Sequence, residues 1–221
     1  MRDVLAVAAT LCLTCSFIAA QASHGVQVNE WKVYGGYQYT ALDSHSVQDA
    51  LNLEHLINPT FPLLNFGNRQ NLNGWNFGIQ EDITRWFGVV VDVGSGYAEK
   101  RLLLSSNGGV NLSSRTKMTF YTLTGGPQFT FYRGSHFQPF ARALVGGGFF
   151  LSRTDVVAND VRVVNPVAEN DQGFAWGGGV GSDFFFSRRL GVRVATDWIR
   201  TPFFDEHQNN VRATAGLIFR F

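Results

Sequence analysis

The chemistry that this sequence favours most is ion pairing between charged residues at alternate positions of β-like segments. In each segment one face is apolar, and eight charged residues stand on the opposite, polar faces. Seven of them form the predicted charge network: Lys32, Asp92, Arg142, Asp183, Arg193, Asp197 and Arg212. The eighth is Arg220, next to the last residue. A short connector, residues 185–189, separates two of these segments. It places Asp183 and Arg193 close to opposite each other across the two strands that it joins. We therefore expect these two side chains to form an ion pair.

Catalytic chemistry has weaker support. Ser135-His136 and Ser44-His45-Ser46 each place a hydroxyl beside an imidazole, but neither has an acid that the sequence forces into proximity. The run GGGVG, residues 177–181, resembles a phosphate loop only weakly, because no helix and no suitably placed lysine follow it. We expect no catalytic and no cofactor-binding residue.

Metal binding is not indicated either. The five histidines, His24, His45, His55, His136 and His207, show no HxH or HxxxH spacing. The two cysteines, Cys12 and Cys15, both lie in the N-terminal apolar segment. Once that segment is removed, the chain has no thiolate ligand, no thiol nucleophile and no disulfide. We expect neither a metal nor a cofactor.

The N-terminal segment has the features of a secretory signal peptide. Arg2 supplies a short basic region, residues 4–20 are mostly apolar, and Ala20-Gln21-Ala22 is an A-x-A cleavage motif. The apolar run is too short and wrongly flanked for a good transmembrane helix. We predict a signal peptide over residues 1–22 and one domain over residues 23–221.

Composition narrows the class of that domain. Of 221 residues, 16% are charged and 14% are aromatic, and 24 are glycine. Little charge and many aromatic residues disfavour both a disordered chain and a coiled coil. The formal net charge of +1 gives no electrostatic basis for binding nucleic acid. This composition favours β-structure with an apolar outer surface.

Eight segments of roughly ten residues alternate apolar and polar side chains, as β-strands do. They are residues 31–40, 72–80, 87–97, 118–131, 139–149, 174–184, 190–198 and 211–221. Their apolar faces carry no charged residue. Two architectures fit: a soluble barrel or sandwich with the apolar face as its core, and a membrane barrel with that face in lipid.

The connectors distinguish the two architectures. Three are short (81–86, 132–138 and 185–189) and four are longer (41–71, 98–117, 150–173 and 200–210), and short and long connectors alternate strictly. Outer-membrane barrels have short periplasmic turns and longer extracellular loops. The alternation therefore predicts a membrane barrel, in which the seven charges point into the lumen.

Aromatic residues gather near the two ends of the predicted strands. At the short-connector end they are Phe131, Tyr132, Phe137, Phe184, Phe185, Phe186 and Phe221; at the other end they are Tyr39, Tyr97, Phe149, Trp198, Phe203 and Phe204. Two aromatic girdles at the membrane interfaces are typical of such barrels.

The chain resembles the OmpA/OmpX-like outer-membrane β-barrels, and more closely their single-domain group, the outer membrane protein β-barrel domain. The stretches that carry this resemblance are ITRWFGVVVDVGSGY (83–97), FQPFARALVGGG (137–148), FAWGGGVGSDFFFSRRLGVRVATDWIRT (174–201) and VRATAGLIFRF (211–221). It implies an all-β fold: an eight-stranded antiparallel up-and-down transmembrane barrel in the bacterial outer membrane. It also implies that the outer-membrane insertion machinery recognises the last strand through Phe219 and Phe221. The periplasmic peptidoglycan-binding domain of longer members is expected to be absent.

These features predict a non-enzymatic outer-membrane barrel with a structural, membrane-integrity or surface-interaction role. A charge in a narrow bore needs a partner or water, so the inward charges are expected to plug the lumen. The expected partners are outer-membrane lipid and lipopolysaccharide, with no nucleic acid, and a monomer is expected; an extracellular ligand is not identified. The alternatives are a narrow porin-like channel, a lipid A-modifying barrel enzyme and a soluble secreted barrel.

Overall fold

The alternating segments of the sequence form long β-strands in the structure. The computed structural model describes residues 27–43, 69–107, 110–132, 134, 136–158, 161–162, 167–203 and 206–221. Within these ranges the chain forms nine strands: β1 (Gln27–Asp43), β2 (Arg69–Thr84), β3 (Phe87–Asn107), β4 (Val110–Thr130), β5 (Phe137–Ala158), β6 (Val161–Arg162), β7 (Val167–Phe185), β8 (Leu190–Phe203) and β9 (Glu206–Arg220). The predicted signal peptide lies outside the described residues.

All of the strand pairings are antiparallel, and the eight long strands close into a barrel. Each long strand pairs with the next long strand along the chain, and β1 pairs with β9 to close the ring. The two-residue β6 pairs only with the end of β5. This confirms the predicted fold class, an eight-stranded antiparallel up-and-down barrel. No helix in the described part of the chain is long and apolar enough to cross a membrane.

The strands are longer than the sequence pattern predicts at one end of the barrel. The predicted connectors 98–117 and 200–210 are mostly strand. β3 pairs with β4 up to Asn107 and Val110, and β8 pairs with β9 up to Phe203 and Glu206. Backbone hydrogen bonds extend a hairpin whether or not its side chains alternate in polarity. Where neither face of a strand has to be apolar, the sequence does not alternate between apolar and polar residues, so alternation does not predict the strand there. At the opposite end the connections are short, as predicted.

Burial along the strands is inverted relative to a soluble protein. In β2 the exposed side chains include Trp75, Phe77 and Ile79, whereas Asn76 and Gln80, at the alternate positions, are buried. Apolar side chains face outward and polar side chains face the interior, as a barrel in lipid requires.

Two residues predicted to lie in the aromatic girdles point inward instead. Phe185 and Phe203 are 2% and 1% exposed. Each lies one residue out of phase with the outward positions of its strand, Phe184 and Pro202, so period two directs it into the lumen. Phe185 packs with Tyr34 and Ile218 near the short turns, and Phe203 packs at the other end in a cluster with Leu42, Leu72, Met118, Phe120 and Phe150. Phe204 lies outside the described residues.

Candidate functional site: the charged side chains of the lumen

Four charged residues near the short turns form what we call the lower cluster: Lys32, Asp82, Asp183 and Arg193. Arg193 donates from Nε to Asp183 Oδ1 at 2.6 Å and from Nη2 to Asp183 Oδ2 at 2.8 Å. The two residues are register partners on β8 and β7. Lys32 Nζ lies 3.0 Å from Asp82 Oδ2 and 3.9 Å from Asp183 Oδ2. The lower cluster thus holds two cations and two anions.

Amide side chains complete the lower cluster. Lys32 Nζ donates to Gln138 Oε1 at 2.7 Å across the lumen. Gln80 Oε1 accepts from Arg193 Nη2 at 2.6 Å and from Gln128 Nε2 at 2.9 Å, and Gln80 Nε2 donates to Asp82 Oδ1. These bonds connect β1, β2, β4, β5, β7 and β8, which encircle most of the bore.

Four more charged residues, toward the long-strand end, form the upper cluster: Asp92, Arg142, Asp197 and Arg212. Arg142 donates from Nε and Nη2 to the two carboxylate oxygens of Asp197, both at 2.8 Å. Arg212 donates from Nε to Asp197 Oδ2 at 2.9 Å and from Nη1 to Asp92 Oδ1 at 2.6 Å. Each carboxylate therefore meets both guanidinium groups, since Arg142 Nη1 also lies 3.5 Å from Asp92 Oδ2.

Glycines on intervening strands let long side chains in and beside the upper cluster reach each other. Gly179 lies in register between Arg142 on β5 and Asp197 on β8, and a Cβ there would lie 2.0 Å from Asp197 Oδ1. Gly78 lies in register between Tyr34 on β1 and Asp92 on β3, and a Cβ there would lie 2.3 Å from the Tyr34 ring. The pairs Arg142–Asp197 and Tyr34–Asp92 each pass over a position that has no side chain.

A layer of rings lies between the two clusters. The Arg193 guanidinium lies 4.2 Å from the Tyr34 ring centroid and 4.7 Å from that of Phe140. The Tyr34 hydroxyl donates to Asp92 Oδ2 at 2.7 Å and accepts from Arg142 Nη1 at 3.1 Å. Tyr34 therefore contacts the upper cluster through its hydroxyl and the lower cluster through its ring.

Burial makes the balance of charge in each cluster energetically important. All eight charged side chains are at most 4% exposed. A buried charge without a partner costs several kcal/mol, whereas a well-paired one approximately offsets its desolvation. Each cluster contains two cations and two anions, so each is formally neutral.

The structure brings the seven residues singled out in the sequence into these two clusters and adds others. Lys32, Asp183 and Arg193 lie in the lower cluster, and Asp92, Arg142, Asp197 and Arg212 in the upper cluster. Sequence reasoning missed Asp82, because it assigned residues 81–86 to a connector, whereas β2 continues to Thr84. The signal was available: Asp82 continues the inward phase of Asn76, Gly78 and Gln80.

A cavity borders the lower cluster where the barrel wall lacks inward side chains. Gly36 and Gly216 are register partners on β1 and β9, and the cavity that they line is also bounded by Tyr34, Asn76, Arg193 and Thr214. Among the described residues, Arg193 Nη1 has no hydrogen-bond acceptor. A polar group beside a small cavity is a position where a water molecule can bind.

The end of β9 is held in the barrel wall. The Phe221 N–H donates to the Trp31 carbonyl at 3.0 Å, and the Trp31 N–H donates to the Phe221 carbonyl at 3.2 Å. Phe219 and Phe221 both face outward, with ring centroids 6.0 Å apart. Arg220 between them points inward and covers the Phe185 ring at 4.2 Å.

The described residues show no group of side chains that supports catalysis by the Ser-His pairs or metal binding. Ser44, His45, Ser46 and Ser135 lie outside the described residues, and His136 lies in the turn before β5, where its carbonyl accepts from the Phe185 N–H. In the described part of the chain, no three His, Cys, Asp or Glu residues could together hold a metal ion. The lumen is therefore the candidate site.

A comparison with known protein families identifies the family of this barrel. The family profile described as "Outer membrane protein beta-barrel domain" matches residues 8–221. The chain belongs to this family. It is an outer-membrane β-barrel protein of bacteria, and the resemblance and location predicted from the sequence are confirmed. None of the curated protein sequences compared with the chain matches it.

Solved structures resemble this family member in fold. The attachment invasion locus protein Ail of Yersinia pestis, in complex with the heparin analogue sucrose octasulfate, shares 13% identity, with a TM-score of 0.55 over 87% of this chain and 99% of that one. Ail without that ligand gives 13% identity and a TM-score of 0.53 over the same shares. Neisserial surface protein A gives 9% identity and a TM-score of 0.49 over 86% and 97%. At these identities the likeness to Ail concerns the fold alone.

Proposed function

We propose that this outer-membrane barrel is a non-enzymatic monomer whose lumen is plugged by its own side chains. Its role is structural, in membrane integrity or in interactions at the cell surface. The observation that supports the plug is the pair of neutral, hydrogen-bonded clusters, stacked along the bore and separated by the Tyr34 and Phe140 rings. An ion that crossed the barrel would have to displace several charge-assisted hydrogen bonds at two successive levels.

Conductance in planar bilayers tests the plug. We expect purified, folded protein to give no discrete conductance steps above the bare membrane, because an ion would have to break the ion pairs of both clusters in order to cross. Heat-modifiable migration on a gel serves as the control that the inserted protein is folded. Reproducible steps whose ion selectivity changes in Asp197→Asn would instead establish a narrow channel. The cavity beside Arg193 is a feature of the described residues that favours that alternative.

The absence of enzymatic activity is part of this proposal. The buried acids already accept hydrogen bonds from arginine, amide or tyrosine donors, which leaves them poorly placed to act on a lipid outside the wall. Mass spectrometry of lipid A from cells with and without the protein tests this part. A lipid A species that depends on the protein would show that the barrel is an enzyme.

We further propose that Phe219 and Phe221 form the signal read by the outer-membrane insertion machinery. We expect deletion of Phe221 to lower the amount of barrel in the outer membrane severalfold, because an outward aromatic ring at the end of the last strand is lost. The folded barrel should lose only the contribution of the two terminal backbone hydrogen bonds to Trp31, since the ring itself is 64% exposed. Membrane fractionation measures the first effect and urea unfolding of refolded protein the second.

Phe131 offers a matched control for this deletion. It is also an exposed aromatic residue at the short-turn end, but it follows β4 and not the last strand. Phe131→Ala should leave the amount in the outer membrane unchanged, and Phe221→Tyr should preserve insertion. Equal amounts of wild type and the Phe221 deletion in the membrane would refute the assembly role.

A further inference from the structure

Above the upper cluster, toward the long-strand end, the lumen contains a layer of apolar side chains that we call the apolar cap. Its members come from five of the eight long strands, and each is at most 8% exposed. They are Leu42 on β1, Leu72 on β2, Met118 and Phe120 on β4, Phe150 on β5 and Phe203 on β8. Ala98 on β3 packs against them from a sixth strand. The apolar cap therefore extends around most of the circumference of the bore.

The inward positions of β4 show that the apolar cap lies between two polar levels. Thr122 accepts a hydrogen bond from Arg212 Nη1 of the upper cluster at 3.4 Å. The next two inward positions toward the long-strand end are Phe120 and Met118, and the position after them is Thr116. All four side chains are buried. A lumen that only paired charges would stay polar throughout, so this apolar layer has a separate physical effect.

Phe203 joins the rings of the apolar cap. Its ring centroid lies 5.9 Å from that of Phe120, edge to face, and 6.0 Å from that of Phe150. Gly148 leaves the space that Phe203 occupies, because a Cβ at Gly148 would lie 3.0 Å from Phe203 Cζ. Three rings from three different strands thus pack together inside the bore.

A hydrogen-bonded amide borders the apolar cap on β9. Asn210 is 1% exposed. Its Nδ2 donates to Thr201 Oγ1 at 2.9 Å, and its Oδ1 accepts from the Asp43 N–H at 2.9 Å. A buried polar group that finds its partners within the protein needs no water to satisfy it. The side of the layer formed by β8, β9 and β1 is therefore compatible with a dry lumen.

The apolar cap lies at the height of the outer aromatic belt. Tyr97 is the register partner of Thr119, which separates Phe120 from Met118 on β4. Tyr97 and Tyr121 stand edge to face on the outward side, with ring centroids 6.1 Å apart. Aromatic belts mark the membrane interfaces of such barrels, and their short turns face the periplasm. The apolar cap is therefore at the extracellular entrance to the membrane-spanning part of the lumen.

We propose that the apolar cap is a hydrophobic seal that keeps extracellular water and ions away from the upper cluster. Hydrophobic constrictions close pores by excluding water from a narrow apolar passage. Exclusion of water also strengthens the ion pairs beneath, because a low local dielectric strengthens charge-assisted hydrogen bonds. The inference deepens the proposed plug and rests on it: the cap is the extracellular layer of the barrier, and the two clusters are the layers below.

The reaction rate of an introduced cysteine with a charged methanethiosulfonate reagent measures whether water reaches the upper cluster. Thr124→Cys places the thiol at a buried inward position whose register partner is Asp92. Cys12→Ser and Cys15→Ser remove the other thiols of the chain. In folded protein in neutral detergent micelles, Phe203→Ala should raise the reaction rate at least about tenfold, because cysteine reactivity depends on exposure.

Phe185→Ala is the matched control, since it removes a buried ring at the opposite end of the lumen. It should leave the reaction rate of the introduced thiol unchanged, because the lower cluster and the Tyr34 and Phe140 rings still lie between that thiol and the periplasmic mouth. Phe203→Leu should keep the thiol protected, because it preserves an apolar side chain. Heat-modifiable migration shows which variants fold, and Leu42→Ala makes the same test if Phe203→Ala does not fold.

Two results would overturn the seal. One is rapid reaction of the introduced thiol while the apolar cap is intact; the other is an equal reaction rate in Phe203→Ala and Phe185→Ala. Conductance of the same proteins separates failure of the seal from failure of the plug. A reactive thiol beneath an intact cap in a barrel that gives no conductance steps would refute the seal alone, whereas conductance steps with the cap intact would refute the plug.

Discussion

Replacement of Asp197 by alanine is expected to destabilise the folded barrel by about 3–5 kcal/mol. Asp197 accepts two hydrogen bonds from Arg142 and one from Arg212, and it is fully buried. Its removal leaves two buried guanidinium groups with Asp92 as their one remaining carboxylate partner among the described residues, so the upper cluster changes from neutral to a charge of +1. Urea unfolding of the barrel in lipid vesicles measures the free energy of unfolding.

Two further variants show whether the upper cluster causes this loss. Thr196→Ala changes the adjacent outward position of β8 and should leave the free energy of unfolding nearly unchanged. Asp197→Ala combined with Arg142→Met restores neutrality and should recover part of the loss, because one stranded charge disappears. Stability of Asp197→Ala equal to that of the wild type would mean that water solvates these arginines, as in a channel.

The register of the lower pair could be read from the sequence because one short turn determines it. Between Phe185 and Leu190 the chain has little freedom, so period two both aligns Asp183 with Arg193 and points them inward. The structure pairs the same two residues. Local chain geometry was sufficient there, and the same holds for the inward direction of Lys32, Asp92 and Arg142.

The partners within the upper cluster could not be predicted in the same way. Arg212 on β9 and Asp92 on β3 meet across the lumen at 2.6 Å, and 119 residues lie between them in the sequence. Which levels coincide depends on the stagger of the closed barrel, and alternation within single strands does not determine that stagger. The length of the strands beyond the lipid was missed for a related reason, since polar side chains on both faces leave no periodic signal.

Inward glycines offer a signal that could narrow such predictions. Gly179 and Gly78 each stand in register between two long side chains that meet above them. Once neighbouring strands are in register, a glycine between inward Arg and Asp, or between Tyr and Asp, predicts that the outer two residues are partners. Such a glycine therefore predicts contacts between side chains on two strands that are separated by a third. This prediction does not require the stagger of the closed barrel.

The double-mutant cycle on Asp183 and Arg193 is expected to show a coupling energy of at least about 2 kcal/mol. Asp183→Leu alone should cost about 3–5 kcal/mol, because it strands Arg193 between the Tyr34 and Phe140 rings and removes the second anion near Lys32. Arg193→Met alone leaves Asp183 with Lys32 at 3.9 Å and should cost less. The double variant should recover much of the larger loss, since both desolvation penalties disappear together.

The ion pair of Glu99 and Arg101 is the matched control, because it joins the same kinds of group at 3.1 Å on the exposed face of β3. Its coupling should be far smaller and should vanish at high salt, whereas the coupling of the buried pair should persist. Unfolding by urea in vesicles measures both cycles, with conductance recorded on the same variants. If the lumen is plugged, we expect a large coupling energy and no conductance, because an ion must break this pair in order to cross the barrel. A coupling near zero together with new or altered conductance would mean that hydrated charges line an open path, and the barrel would then be a pore.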